Sequence, residues 1–237
     1  MKILHLVLFN DKPIYNNMYK ITSPYYKKFQ NITTIYYKFG GEELEEDYVI
    51  QDDIMLIKGK ETFIPGILDK TIKALQYFEK EIDNYDFIIR SNVSTIIDFK
   101  RCQLFLKNHP NIEYGGGIIE NLQWFGSGVN DRKYFGTIYC QGICIILNMD
   151  LTKQILSNLD KLNMTIIDDV SLAILIKELK NDITYTQVPC VSNFLLDNNN
   201  FKSNFIVYRN KFHNRNVDVK RMEIIIKNLI KNLENTN

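Results

Sequence analysis

The sequence predicts a single α/β domain built on a mostly parallel, Rossmann-like central sheet flanked by helices. Three observations predict it. The runs Ile3–Phe9 and Asp86–Arg90 are near-continuously apolar, as in strands buried on both faces of a parallel sheet. Strand-like and helix-like segments alternate through the first half of the chain, the order of βαβ units. A chain of 237 residues, 45% of them hydrophobic, supplies one sizeable core and leaves no composition break for a linker.

The elements follow in order. Ile3–Phe9 is the first strand. Pro13–Tyr19 and Tyr25–Phe29 read as helical turns separated before Pro24, because a residue preceding proline is pushed out of helical conformation. Ile32–Phe39, rich in β-branched and aromatic residues, is the second strand. The acidic stretch Gly40–Asp53 reads as a loop, and Ile54–Lys58 as a short third strand. Pro65 opens a helix through about Ile82, with Ile67, Leu68, Thr71, Ile72, Leu75 and Phe78 at helical spacing. Asp86–Arg90 is the fourth strand and ends in polar Ser91 and Asn92. In the second half Ile96–Asn108 reads as a helix, Tyr114–Gly117 as a flexible or tightly turned segment, Tyr139–Asn148 as a strand and Asp150–Leu159 as a helix. Asp168 and Asp169 precede a helix through about Leu179. Thr184–Val188 and Phe205–Arg209 are candidate strands, Asp197–Asn200 a local loop, and Val217–Leu233 a closing amphipathic helix.

Composition excludes several classes. The net charge of +1, from 29 basic and 28 acidic residues, gives no general attraction to nucleic acid or acidic membranes, so a cationic site has to be local. No run approaches the ~20 apolar residues of a membrane helix, and Met1–Phe9 is too short and too interrupted by His5 for a signal peptide. The expectation is a cytoplasmic protein without a membrane span. Cys102, Cys140, Cys144 and Cys190 form no CxxC pair and read as free thiols. The triplets at Asn31, Asn92 and Asn163 fit the glycosylation pattern but read as by-products of an Asn-rich composition. No P-loop or GxGxxG is present.

Three segments, in order, carry a resemblance. The first is Glu61-Thr62-Phe63 with Ile67-Leu68-Asp69-Lys70-Thr71. The second is the apolar strand ending Arg90-Ser91-Asn92-Val93-Ser94. The third is Tyr139-Cys140-Gln141-Gly142-Ile143 with the helix after it and Ile166-Ile167-Asp168-Asp169-Val170. Together they resemble GT-A glycosyltransferases of the β-1,3-galactosyltransferase and Fringe type, and small glycosyltransferase-like proteins of large DNA viruses. The Asn/Ile/Lys-rich composition suits an AT-rich viral genome.

The resemblance implies a GT-A-like fold, with about residues 1–95 as a nucleotide-binding half and about 96–237 as an acceptor and catalytic half. It implies transfer of a sugar from a nucleotide-sugar donor, a UDP-sugar, to a hydroxyl of a glycan or protein, with inversion. Asp169 stands where the family has its general base, and Asp168 is its acidic neighbour. Adjacent, partly buried carboxylates raise each other's pKa, which suits base chemistry; at a helix start they also suit capping. Asn92 and Ser94 stand where the family's DxD carboxylates hold a divalent cation. Neutral amide and hydroxyl oxygens bind Mg²⁺ or Mn²⁺ weakly, so two readings stay open. The site is metal-independent, or a cation is held with help from Asp11, Asp98 or His213. Donor contacts are expected from Phe9, Asn10, Asp11, Lys70, Arg90, Ser91, Asn92, Ser94 and Gly142. Arg209, Lys211 and Arg215, in the densest basic stretch, are expected on the leaving diphosphate, as a guanidinium fork and an ammonium suit phosphate oxygens. Trp124, the only tryptophan, and Gly116 are placed in the acceptor groove, against the alternative that Trp124 packs in the core. A GT-A domain that keeps its pocket but has lost turnover is the competing assignment.

Overall fold

The computed structural model describes residues 1–193 and 204–234. The loop expected at Asp197–Asn200 lies outside the described residues. The chain runs β1 (Ile3–Leu8), α1 (Pro13–Tyr26), β2 (Ile32–Gly41), β3 (Tyr48–Gln51), β4 (Ile54–Lys58), α2 (Gly66–Tyr77), β5 (Phe87–Asn92), β6 (Thr95–Ile97) and α3 (Phe99–Asn108). It continues through β7 (Tyr114–Gly116), β8 (Ile119–Asn121), β9 (Ile138–Cys140), β10 (Cys144–Asn148), α4 (Met149–Leu156), α5 (Asp168–Leu179), β11 (Tyr185–Gln187), β12 (Cys190–Ser192), β13 (Val207–Arg209) and α6 (Arg215–Glu234).

An eight-stranded sheet in the order β11-β7-β10-β5-β1-β2-β4-β3 forms the centre. β1 lies between β2 and β5 and is parallel to both. Burial on both faces explains its unbroken apolar sequence. Ile3 and Val7 face a core closed by Met18 of α1, Phe99 and Leu106 of α3, and Met222 and Ile225 of α6. Leu4 and Leu6 face the opposite core with Ala74 and Leu75 of α2. A third cluster joins Leu68 of α2, Leu147 of β10, Ile155 of α4 and Val170 and Ile176 of α5. The predicted α/β class with a mostly parallel sheet is therefore the observed one. The exceptions are β10, antiparallel to β5 and β7, and the edge strand β3, antiparallel to β4.

Several local expectations are corrected. α1 runs through Pro24 without a break. Proline there falls in the last turn, where its missing N–H forfeits one helical bond. The expected loop 40–53 contains β3, whose partly exposed edge position lets polar residues flank a short strand. The helix expected to reach Ile82 stops at Tyr77, and a 3-10 turn follows over Glu79–Asn84. Ile96 and Ile97 belong to β6, and α3 begins after Asp98, whose carboxylate accepts the Arg101 N–H as N-cap. Tyr114–Gly117 is no turn. Its first three residues are a buried strand, and a Cβ on Gly116 would stand 2.6 Å from the Cys140 Cβ, so glycine is there for close strand packing. The single strand expected at Tyr139–Asn148 is two, β9 and β10, in different sheets and joined by the turn 141–143. Asp168 and Asp169 lie within the first turn of α5, where Ile167 is the N-cap and makes no side-chain cap bond.

Candidate functional site

A cavity of about 740 Å³ opens over the carboxyl ends of β1 and β5. That is where open α/β sheets bind ligands, and the volume is that of a small-molecule site. Four chain segments wall it. Leu8, Phe9, Asn10, Lys12 and Tyr15 come from the end of β1 and the start of α1. Glu61, Thr62, Phe63, Ile67 and Lys70 come from the approach to α2 and its first turns. Asn92, Val93 and Ser94 come from the end of β5 and the residues after it, and Arg209, Lys211, Phe212 and Arg215 run from the end of β13 to the start of α6, with Ile143 completing the wall.

The wall is cationic. Lys70 is 1% exposed; its ammonium donates to both Glu61 oxygens at 2.6 and 2.8 Å and to the Phe9 carbonyl at 3.1 Å. Burial draws its pKa down, against the opposing pull of Glu61. Arg215 is neutralised by Asp218, a fully buried carboxylate that also accepts the Phe212 N–H at 3.0 Å. Arg209 donates to Gln141 Oε1 at 3.1 Å and has no acidic partner among the described residues. Neither do Lys12 and Lys211, both exposed. Three cations of the wall are thus uncompensated. Phe63, 58% exposed, stands beside them as a free aromatic face.

The carboxylates lie across the 141–143 turn from this cavity. Arg90 Nη2 donates to Asp168 Oδ2 at 2.6 Å, and Nη1 donates to the Gly142 carbonyl. The Gly142 N–H donates to Asp169 Oδ2 at 2.9 Å, and the Val170 N–H to Asp169 Oδ1 at 2.9 Å. A Cβ on residue 142 would collide with Arg90 Nη1, so the turn needs glycine. Burial, with the like charge of Asp168 beside it, raises Asp169 to about 6, against the bonds from Gly142 and the charge of Arg90. Asp169 is therefore ionised at neutral pH yet basic enough to take a proton from a hydroxyl.

Phe9, Asn10, Lys70, Asn92, Ser94, Arg209, Lys211 and Arg215, expected from the sequence, all border the one cavity. Lys70 lines the cavity as a buried lysine paired with Glu61. Others are placed elsewhere. Arg90 is buried outside the cavity lining, with each of its three guanidinium nitrogens bonded to protein. Ser91 turns into the core, where its hydroxyl meets His5 Nε2 at 2.9 Å; burial drives His5 down to about 3 and keeps it neutral. Asp11 points outward and pairs with Lys38. Gly116 is interior strand and no part of a groove. Trp124 is half-buried on the loop after β8, its indole N–H 3.4 Å from the Tyr139 hydroxyl, and that loop is pinned to α5 where the Ile167 N–H bonds the Ser127 carbonyl. The candidate cation ligands do not converge. Asp98 caps α3, Asp11 is paired, His213 is exposed away from the cavity wall, and no cluster of His, Cys, Asp or Glu able to hold a metal is found among the described residues. Sequence reasoning gave no site role to Lys12, Tyr15, Glu61, Phe63 and Gln141, although Glu61, Phe63 and Gln141 stand in the segments that carry the resemblance. Lys12 carried a usable signal, since it stands between the first strand and the helix opened by Pro13.

Fold and site define a class: a mixed α/β single domain of GT-A-like architecture with an anion-suited cavity at its strand ends. Its fold is similar to that of a glycosyltransferase involved in the glycosylation of the major capsid of PBCV-1, with a TM-score of 0.52 and 10% identity over 94% of this chain and 100% of that one. Lower likenesses are to the galactosyltransferase LgtC, at a TM-score of 0.45 and 10% identity over 96% of each chain, and to a 4-diphosphocytidyl-2C-methyl-D-erythritol synthase from Anaerococcus prevotii, at 0.42 and 10% over 95% and 96%. No family model matches the chain, and no curated protein matches it in sequence. No helix among the described residues is long and apolar enough to cross a membrane.

Proposed function

We propose that the protein is a glycosyltransferase that moves a sugar from a nucleoside diphosphate donor, a UDP-sugar, to an acceptor hydroxyl with inversion. The observation that carries this is the pairing of one cavity bearing the uncompensated cations Lys12, Arg209 and Lys211 with a carboxylate tuned to about 6 one turn away. The diphosphate lies among those cations. The leaving nucleoside diphosphate gains negative charge as the glycosidic bond breaks, and fixed cations there stabilise the transition state more than the ground state. Arg209 offers a guanidinium edge and the two lysines point charges. Asp169 takes the proton of the acceptor hydroxyl, which attacks the anomeric carbon in line; Gly142 and Val170 hold the carboxylate in place through their N–H groups. Asn92 and Ser94 border the cavity with neutral oxygens, a donor set poor for Mg²⁺ or Mn²⁺, so the cationic wall takes over the neutralising work and turnover is metal-independent. The donor cavity draws on both halves of the chain, residues 8–94 and 143–215, and the acceptor approaches from the side of Trp124 in the second half.

The test is release of UDP from a panel of UDP-sugars, with and without EDTA. Turnover that survives EDTA and is lost in Asp169→Asn, with UDP binding kept, is the expected result. Full turnover in Asp169→Asn removes the base assignment. The same substitution of carboxylates by Asn92 and Ser94 favours one second reading, a sugar- or nucleotide-binding module without turnover. UDP binding with no release from any donor, in the presence of acceptor glycosides, decides for it.

A further inference from the structure

We infer that Arg90 is a positioning residue for Asp169: its guanidinium fastens the 141–143 turn to the start of α5 and so aims the Gly142 N–H at the Asp169 carboxylate. This rests on the reading of Asp169 as the base. The geometry is a closed loop of bonds. Arg90 on β5 donates to the Gly142 carbonyl and to Asp168 Oδ2, and the same glycine's N–H returns to Asp169. A third bond, from Arg90 Nε to the Tyr37 hydroxyl at 3.4 Å, fixes the plane of the guanidinium. Each of the three guanidinium nitrogens bonds to protein, and the side chains of Arg90 and Asp168 are only 7% and 12% exposed. A lysine offers one point charge where this site needs divergent donors. The turn that Arg90 holds also touches the donor side, since Gln141 accepts from Arg209 and Ile143 lines the cavity. One peptide turn therefore sets the base on one flank and a diphosphate cation on the other.

The clasp also sets the proton affinity of the base. Asp169 is faced by Asp168 from its own helix, Arg90 from β5, Tyr114 from β7, and Tyr139 and Cys140 from β9. Lys70 of α2 acts on Arg90 and Asp168 rather than on Asp169 directly. Arg90 is the cation among those that face Asp169, and it opposes both burial and Asp168. Its loss raises the proton affinity of Asp169 and so increases the protonated fraction at neutral pH.

Two variants, Arg90→Gln and Arg90→Lys, test this with carboxyl-¹³C-aspartate NMR, the Asp169 signal being assigned by its absence in Asp169→Asn. The expected result is a rise of the Asp169 midpoint by about one pH unit or more in Arg90→Gln. Arg90→Lys, which keeps the charge but not the fork, holds the midpoint closer to the parent while kcat falls and the affinity for UDP is unchanged. If Arg90→Gln does not fold, the Arg90→Lys split between kcat and UDP affinity carries the test alone. A lowered Tm with an unmoved midpoint and unaltered kcat reduces Arg90 to a structural pair, and lost UDP binding in Arg90→Lys makes it a donor ligand; either overturns the inference. Titration and UDP binding need no turnover. A parent protein that transfers no sugar but shows the Arg90-dependent midpoint sinks the transferase reading and leaves the clasp standing.

Discussion

At the scale of single residues, the carboxylate that suits catalysis is one the fold is worse off for keeping ionised. Asp169 is raised from its ordinary value to about 6 by burial and by Asp168. A carboxyl group bound more tightly to its proton in the folded than in the unfolded chain stabilises the fold at low pH. That contribution is lost as pH rises from about 4 through about 6. At pH 7.5 the ionised side chain therefore weakens the protein by about 2 kcal/mol, since each tenfold change in proton affinity is worth roughly 1.4 kcal/mol and the group keeps some contact with solvent. Asp169→Asn keeps an oxygen for one of the two backbone N–H groups and removes the charge. It is expected to melt about 2–4 °C above the parent at pH 7.5, a gap that closes as the pH is lowered to 4, while transfer is abolished. Calorimetric scans of the two proteins across that pH range check it. A variant less stable than the parent at every pH removes the idea that Asp169 is held at a cost. Adjacent acidic residues at a helix start were legible in the sequence as either cap or base. Neither is at the N-cap, but Asp169 Oδ1 accepts the first-turn Val170 N–H, so one carboxylate serves the helix end and keeps its other oxygen on the Gly142 N–H.

At the scale of elements, α6 is what brings the basic segment to the cavity. α1 and α6 pack together, and the first turn of α6 carries Asp218, which holds Arg215 and the Phe212 N–H. Arg221, one turn further on, stacks its guanidinium 3.8 Å from the Phe212 ring centre. Removing a fully buried acceptor strands both partners, a change that costs about 3 kcal/mol. Asp218→Ala is therefore expected to lower Tm by about 6–12 °C and to weaken UDP binding at temperatures where the variant stays folded. A destabilised variant that binds UDP as the parent does shows that α6 holds the fold but not the cavity. Elements with one strong period were legible: β1, β4, β5 and the helices bearing Leu75, Leu106 and Ile225 follow from apolar spacing alone. Those set by a partner were not. β3 is a strand because β4 pairs with it, and Tyr114–Gly116 is a strand because only glycine fits against Cys140 and Cys144, a reason that looks like flexibility in sequence. The break between β9 and β10 depends on Arg90 meeting Gly142, two positions far apart in the chain.

At the scale of the whole molecule, a net charge of +1 conceals an uneven field. Acidic residues cluster on the 42–47 loop, while cations gather where β1, α2 and the segment after β13 converge. That convergence explains why the sequence showed the basic stretch at Arg209–Arg215 yet not its partner Lys12, near the other end of the chain. Chain distance hides what the sheet order β5-β1-β2 and the α1–α6 packing bring together. A site that binds a diphosphate through uncompensated cations differs from one that uses a resident cation in how it answers to salt and to chelators. Lys12 and Lys211 are exposed, so added salt screens them, with a Debye length falling from about 10 Å at 0.1 M to about 3 Å at 1 M. UDP affinity is expected to fall by about tenfold between 0.05 and 0.5 M NaCl, to be unmoved by EDTA, and to lose much of its salt dependence in Lys12→Ala/Lys211→Ala. Uridine, which lacks the phosphates, is expected to show no such slope. Titration calorimetry at several salt concentrations measures all of these. Affinity that collapses in EDTA and returns with Mn²⁺ shows that a metal, not the basic wall, meets the diphosphate.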